Sequence, residues 1–206
     1  MNLIIREETQ ADYYASEWIA KRAFWNKHRP GCDEHYLLHK LRGDGAYLRQ
    51  LSRVAEVDGK VVGLIAYVKA QLKLHERVIP VLSFGPLCVE PDMQAKGIGG
   101  ALLETTMRLA REQGWGGIVI FGEPDYYPLH GFSPCDRWGV TTADGRNFAA
   151  FQGVELRPGG LSYPGARFYE PGVYYDLPKE AVEEYDKRFP YMEKRKLPGQ
   201  WPDESQ

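Results

Sequence analysis

The sequence is poor in cysteine, and it lacks long apolar runs and an excess of charge of one sign. Its three cysteines, Cys32, Cys88 and Cys135, lie far apart and form no CxxC pair, which fits a reducing compartment better than a disulfide scaffold. The longest apolar stretches are of strand length, well short of the roughly 18 residues that a membrane helix needs. The N-terminal residues also lack the basic and then apolar pattern of a signal peptide. We therefore expect a soluble cytoplasmic protein with no membrane partner.

The charges nearly cancel, because 26 basic residues stand against 28 acidic ones for a net charge of −2. This balance offers no basic excess for a nucleic-acid backbone, so no nucleic-acid partner is expected. The chain has 206 residues, of which 43% are hydrophobic, enough to bury a core without a disulfide or a structural metal. We expect a single domain over residues 1–180, followed by a C-terminal helix and a loose polar tail over residues 181–206.

The order of apolar patterns predicts a mixed α/β fold, in which a meander of strands leads into a strand–helix–strand unit. An Asp58-Gly59 turn gives the strongest hairpin signal, and Gly85-Pro86 predicts a bulge or splay in the third long strand. Strands are expected at residues 3–6, 51–57, 60–70, 78–89, 117–121, 148–156 and 172–177. Helices are expected at about residues 12–25, 33–41, 98–113, 124–130 and 179–189.

A glycine-rich loop follows the third long strand and opens a helix. Glycines let a backbone approach a ligand closely, and the free N–H groups of a helix N-terminus favour phosphate. A P-loop would need GxxxxGK followed by Ser or Thr, which is absent, and a Rossmann fingerprint fails because Leu102 stands at its last position. The run from Gln94 to Gly99 instead matches Gln/Arg-x-x-Gly-x-Gly/Ala in full.

This run resembles the acyl-CoA motif of the GNAT acetyltransferase superfamily. A second similarity is the run from Tyr127 to Phe132, which reads as the family's Tyr-x-x-x-Gly-Phe at the expected distance after an apolar strand. Residues 122–127 and 155–159 further resemble the bacterial YhbS-like predicted acetyltransferases. The resemblance implies the GNAT fold, a mixed and mostly antiparallel sheet with splayed central strands flanked by helices. Its specific motifs cover only about residues 84–132.

The resemblance also implies acetyl-CoA as the acyl donor and an amine as the acceptor. The splayed strand would pair its freed backbone groups with the pantetheine amides, the N–H of Val89 would polarise the thioester carbonyl, and the glycine loop would hold the pyrophosphate. The cofactor-binding residues expected on this basis are Leu87, Cys88, Val89, Gln94, Ala95, Lys96, Gly97, Ile98, Gly99, Gly100 and Ala101.

Acetyl transfer to an amine needs a base for the amine, a stabilised oxyanion and an acid for the leaving thiolate. Tyr127 is the candidate acid by its place in the second motif, with Tyr126 as a phenolic competitor. The base stays open, because residues 81–84 hold no carboxylate; Ser83 acting through water and Glu123 are the alternatives. No cysteine has an evident base partner, so we expect the amine to attack the thioester directly.

Four possible metal ligands stand within residues 28–39, namely His28, Cys32, His35 and His39. His35 and His39 are spaced as a zinc pair on a helix, but Pro30-Gly31 breaks the pattern, so no metal is expected. In the family this early helical region walls the acceptor pocket. The aromatic candidates for that wall, with core packing as the alternative for each, are Trp18, Phe24, Trp25 and Tyr36.

The leading hypothesis is an N-acetyltransferase acting on a primary amine, with a small molecule favoured over a protein terminus or lysine as the acceptor. The competing hypothesis is a non-catalytic acyl-CoA sensor or interaction module on the same fold. Exposed late strands leave a homodimer open.

Overall fold

The structure, a computed structural model, describes residues 2–201; residues 202–206 of the predicted tail lie outside this range. Nine strands in the described chain form one sheet, in the main order β1-β2-β3-β4-β5-β8-β6, with β9 pairing both β3 and β7. The strands are β1 (Leu3–Glu7), β2 (Arg53–Val57), β3 (Lys60–Leu74), β4 (Arg77–Val89), β5 (Gly117–Phe121), β6 (Ser133–Pro134), β7 (Thr141–Thr142), β8 (Phe151–Glu155) and β9 (Arg167–Tyr169). The helices are α1 (Tyr13–Phe24), α2 (Glu34–Leu41), α3 (Ile98–Glu112) and α4 (Lys179–Asp186).

The first four strands form an antiparallel meander. Asp58 and Gly59 connect β2 to β3 with φ angles of 49° and 82°, the left-handed geometry that a two-residue hairpin turn requires. Parallel pairing occurs between β4 and β5 and between β7 and β9. The expected mixed, mostly antiparallel fold with flanking helices is therefore confirmed.

The two faces of the sheet carry different helices. Helix α3 packs on one face with the apolar side chains Leu102, Leu103 and Met107. Helices α1 and α2 cover the other face through residues such as Ile19 and Leu38. Since side chains alternate between faces along a strand, Leu87 and Val89 belong to the α3 face and Cys88 to the α1–α2 face.

The strand predicted at residues 172–177 is wrong. Gly172–Tyr174 is a single turn of 3₁₀ helix, and the strand in this region is β9, five residues earlier and not predicted. The alternating Val173, Tyr174 and Tyr175 imitate a strand pattern, but the Tyr174 hydroxyl donates to the carbonyl of Gly85 at 3.0 Å. The segment thus docks a side chain onto β4 instead of joining the sheet.

The predicted loose tail is held in place as far as the structure describes it. Residues 190–201 have no regular secondary structure, yet they pack against the end of α1. Trp25 Nε1 and Asn26 Nδ2 donate to the carbonyl of Glu193 at 3.0 and 2.9 Å, and the Trp201 ring stacks on His28. No helix among residues 2–201 is long and apolar enough to cross a membrane.

Candidate active site

Strands β4 and β5 separate to form a cleft. They are parallel neighbours that pair at one position, Leu82 with Ile118, and the β3–β4 register shifts between Ile65 and Tyr67. Beyond this point the two strands run on unpaired, and a cleft of about 1390 Å³ opens between them. Nine of the predicted cofactor-binding residues line it, namely Leu87, Cys88, Val89, Gln94, Ala95, Gly97, Ile98, Gly99 and Gly100.

The edge of β4 presents backbone groups to the cleft. The N–H of Glu90 donates to the carbonyl of Val62 at 2.8 Å, which directs Glu90 towards β3. Because alternate residues of an antiparallel strand turn their backbone groups to the same side, Leu87 and Val89 direct theirs away from β3. The carbonyl of Val89 accepts the side-chain amide of Gln94 at 3.0 Å. Gln94 thus anchors the glycine loop to the strand, and the N–H of Val89 still faces the cleft.

The N-terminus of α3 lies at one end of the cleft. Gly97 caps this helix with a φ of 79°, and Ala101 donates the first intrahelical bond, to the carbonyl of Gly97 at 3.0 Å. The N–H groups of residues 98–100 come before that donor and have no helical carbonyl to bind, which makes this end suited to an anion. Ala101 and Lys96 are not among the lining residues of the described chain, and Lys96 Nζ donates to the carbonyl of Asp92.

Two aromatic side chains cover this helix end. A Cβ on Gly99 would stand 3.0 Å from the Tyr126 hydroxyl, and a Cβ on Gly100 would stand 3.1 Å from His130 Cε1. The rings of Tyr126 and His130 are themselves 4.9 Å apart. Glycine at these two positions therefore lets both rings lie directly over the N-terminal turn of α3.

Tyr127 occupies a different place from its neighbour. Its ring packs against Phe84 and Phe132, with centroids 5.8 and 5.4 Å away, and a Cβ on Gly122 would overlap it at 2.2 Å. Burial raises the pKa of Tyr127 well above its usual value of 10, and the negative charges of neighbouring groups, among them Cys88, add to the shift. Its hydroxyl makes no hydrogen bond with any described residue, so a protonated phenol is available beside the β4 edge.

A buried carboxylate lines the cleft from the α1–α2 side, and the sequence analysis missed it. Glu34 opens α2, and its Oε2 accepts the N–H of Asp33 at 3.1 Å. Burial raises its pKa from 4.5 to about 7, with the charge of Asp33 adding to the shift. A glutamate in the first turn of a helix is ordinary, so only the folded structure distinguishes this one.

The two residues considered as bases stand differently. Ser83 is buried and lies outside the cleft lining among the described residues. Glu123 lines the cleft, but its carboxylate pairs with Lys27 at 3.1 Å and is more than half exposed. Neither position offers an unpaired and desolvated proton acceptor.

Among the four aromatic residues considered for the acceptor wall, Phe24 lines the cleft. Trp18 stacks on Phe189 with centroids 6.0 Å apart, and Tyr36 packs on Tyr185 at 5.2 Å. Trp25 binds the tail. For these three the core-packing alternative describes their contacts.

The histidine cluster is divided among other partners. His35 Nε2 lies 2.8 Å from Asp186 Oδ1, and His35 Nδ1 lies 3.6 Å from Cys32 Sγ. His39 packs on Tyr185 and His28 on Trp201. Residues 2–201 contain no group of three or more side chains arranged to hold a metal ion.

The comparisons with known proteins agree with this geometry. Residues 48–134 match a family model described as acetyltransferase (GNAT) domain. The chain is 36% identical over 100 residues to the uncharacterized N-acetyltransferase YjhQ of Escherichia coli K12; the match covers 48% of this chain and 55% of the relative, so the chain spans about half of that relative's length. It is 26% identical over 131 residues to the uncharacterized N-acetyltransferase YhbS of the same strain, covering 63% of this chain and 73% of the relative.

Two solved structures share the fold. The GNAT family N-acetyltransferase YhbS from Escherichia coli, in complex with CoA, superposes with a TM-score of 0.74 at 22% identity, over 86% of this chain and 94% of that one. A GNAT family acetyltransferase from Brucella melitensis, in complex with acetyl-CoA, superposes with a TM-score of 0.67 at 26% identity, over 84% and 98% of the two chains. The chain therefore belongs to the GNAT acetyltransferase superfamily.

Proposed function

We propose that this protein transfers the acetyl group of acetyl-CoA to the primary amine of a small molecule by direct attack. One observation carries the proposal: the gap between β4 and β5 joins the anion-binding end of α3 to the unbonded hydroxyl of Tyr127. A thioester with a phosphorylated handle and a reactive end matches such an elongated site in both shape and chemistry.

The donor would lie along the β4 edge. Its pyrophosphate would accept hydrogen bonds from the N–H groups of residues 98–100, where the helix dipole also favours negative charge. Its pantetheine amides would take the place of a missing strand beside Leu87 and Val89, as in the addition of a strand to a sheet edge. The N–H of Val89 would then point at the thioester carbonyl and stabilise the oxyanion.

Tyr127 would protonate the leaving thiolate. The raised pKa keeps its hydroxyl protonated throughout the neutral range, and a positioned acid of this kind contributes roughly 10²–10⁴ to the rate. Tyr126, over the helix end, is placed to contact the pyrophosphate instead.

The test is a screen of primary amines with acetyl-CoA, in which release of free CoA is measured with a thiol reagent and acetylated products by mass spectrometry. Amine-dependent CoA release with a matching acetylated product is expected. Calorimetric binding of acetyl-CoA with no turnover on any amine would reject catalysis and favour the acyl-CoA sensor.

A further inference from the structure

We propose that Glu34 is the proton acceptor for the incoming amine, and that the α1–α2 side of the cleft selects a cationic primary amine with an apolar body. This inference rests on the proposed function and deepens it, because it assigns the base and the acceptor class. It follows from where Glu34 stands relative to Tyr127, from the side chains around it and from its lack of an ionic partner.

Glu34 and Tyr127 reach the gap from opposite faces of the sheet. Tyr127 packs with the core on the α3 face, whereas Glu34 stands at the start of α2, on the face to which Cys88 belongs. Both groups act electrostatically with Cys88 at the edge of β4: Glu34 contributes to raising the pKa of that thiol, second to burial, and the thiol in turn contributes to raising the pKa of Tyr127. The gap between β4 and β5 therefore has an acid on one side and a carboxylate on the other.

Glu34 has no competing cation. It forms no ion pair with any residue of the described chain, although Arg29 stands nearby, because Arg29 pairs with Asp33. Its side chain stays partly accessible from the cleft. An unpaired buried carboxylate is costly, and an ammonium group from the acceptor would supply the missing partner.

The surroundings of Glu34 indicate the acceptor class. Apolar side chains line this part of the cleft, among them Phe24, Leu37 and Phe84. The cation Lys27 is neutralised by Glu123, and a second cleft carboxylate, Glu170, is bonded only by the Tyr175 hydroxyl at 2.9 Å. The acceptor side thus combines an apolar wall with net negative charge, which suits an ammonium group on an apolar body.

The proton balance is complete without another reagent. Glu34 takes one proton from R–NH₃⁺, and the free lone pair attacks the thioester carbon to form the C–N bond. The tetrahedral intermediate collapses, the C–S bond breaks, and the sulfur takes the phenolic proton of Tyr127. A second proton leaves the nitrogen as the amide forms and restores the phenol, and the proton on Glu34 passes to solvent.

The pH dependence of this base is set by several neighbours. Below a pH of about 7 the carboxyl of Glu34 would be protonated and unable to accept a proton, so activity should fall on the acid side. The titratable and charged groups around it are Arg29, Cys32 and Asp33 from its own segment, Lys27 and His28 from the end of α1, Cys88 from β4, and Glu170 and Tyr174 from the segment after β9.

The test compares the wild type with Glu34→Gln on two amines of nearly equal shape, phenethylamine and β,β-difluorophenethylamine. Fluorine lowers the basicity of the second amine, so far more of it arrives already neutral and needs no base. For phenethylamine, kcat/KM should fall at least 10²-fold in Glu34→Gln, and the acid limb of the wild-type pH profile should disappear. For the fluorinated amine the fall should be less than about tenfold, as expected for a base that is no longer needed.

The control is Glu170→Gln, which removes the other carboxylate of the cleft and should change kcat/KM for phenethylamine less than about threefold, as expected away from the reacting atoms. Acetyl-CoA affinity, measured by calorimetry, should be unchanged in both variants and reports that each is folded. Full activity of Glu34→Gln, or an equal loss on both amines, would overturn the base role. Ethanolamine turned over as well as phenethylamine would overturn the apolar class. A wild type that binds acetyl-CoA but acetylates no amine would reject the proposed function itself.

Discussion

Tyr126 and Tyr127 are adjacent in the chain but serve different ends of the cleft. The Tyr126 hydroxyl lies over Gly99 at the N-terminus of α3, whereas Tyr127 packs between Phe84 and Phe132. We expect Tyr127→Phe to lower kcat by roughly 10²–10⁴, because only the proton donor is lost. Acetyl-CoA affinity and thermal stability should survive, since the packing volume barely changes. Steady-state kinetics and calorimetry measure the two effects separately.

Tyr126→Phe is the matched control for this substitution. It should retain kcat and at most raise the KM for acetyl-CoA, because its hydroxyl is placed over the helix end. Full activity of Tyr127→Phe would reject the acid role, and a loss of kcat in Tyr126→Phe would transfer that role to the neighbour.

Gly97 offers a second residue-scale prediction with an internal control. Gly97 and Gly114 flank the two ends of α3 with φ angles of 79° and 80°, and a Cβ would meet no atom within 4 Å at either position. Alanine therefore imposes the same backbone strain at both positions. Only Gly97→Ala should raise the Kd for acetyl-CoA by about tenfold, or 1.4 kcal/mol, because its Cβ and the strained turn disturb the anion site.

Calorimetric titration of the two alanine variants decides the matter. Equal affinities in Gly97→Ala and Gly114→Ala would show that this loop does not hold the cofactor.

Residue patterns predicted one half of the candidate site and not the other. The run from Gln94 to Gly99 and the spacing of Tyr127 are local signals, so they are visible in the sequence. The role proposed for Glu34 depends on burial between α2 and β4, which brings together residues far apart in the chain. A sequence with one glutamate at a helix start contains no sign of that burial.

At the scale of elements, three helices meet at one carboxylate. Asp186 at the end of α4 pairs with Lys21 of α1 at 3.0 Å and with His35 of α2 at 2.8 Å, and Lys21 is 1% exposed. Asp186→Asn leaves that ammonium without its charged partner. We expect the free energy of unfolding to fall by about 3 kcal/mol at pH 7. Urea denaturation measures the change.

The pH dependence of this loss has a definite sign. Burial alone would raise the pKa of Asp186, but the hydrogen bonds from His35 and Lys21 hold it below the usual 3.8. A lowered pKa in the folded state contributes stability above the usual value, and that stability is lost as the pH falls through the folded pKa. The difference between wild type and Asp186→Asn should therefore be largest near pH 7 and shrink below about pH 4.

Glu184→Gln is the control for Asp186→Asn, because it removes an exposed ion pair with Lys187 from the same helix. Such pairs contribute about 0–1 kcal/mol. A similar stability loss in both variants, or one independent of pH, would contradict the role assigned to Asp186.

Elements with strong local patterns were predicted well, and those that depend on distant partners were not. Helix α3 and the β2–β3 hairpin have glycine punctuation and regular apolar spacing. Strand β9 has three residues and exists because it pairs with Leu72 of β3 and Thr142 of β7. No pattern within three residues can predict such a strand, whereas Gly172–Tyr174 shows the alternation without a partner strand.

At the scale of the whole molecule, an unfilled sheet edge predicts stabilisation by ligand. Acetyl-CoA at a hundred times its Kd should raise the free energy of unfolding by about 2.7 kcal/mol. For a chain of this size the melting temperature should rise by roughly 5–10 °C. In hydrogen exchange, the amides of Leu87 and Val89 should gain protection, while Cys88, directed towards β3, should change little. Unchanged exchange at Leu87 and Val89 would show that the ligand does not lie along β4.

The single pair between Leu82 and Ile118 also makes the β4–β5 boundary a seam in the assembly of the chain. The ribbon β1–β4 can form its ladders from neighbouring segments, and it leaves the ribosome before β5 exists. The ribbon β5–β8 is joined to it by one backbone pair and by the packing of α3. Closure of the seam should therefore be a late event in folding. Pulse-labelled exchange during refolding should show β2 and β3 protected before β5 and β8.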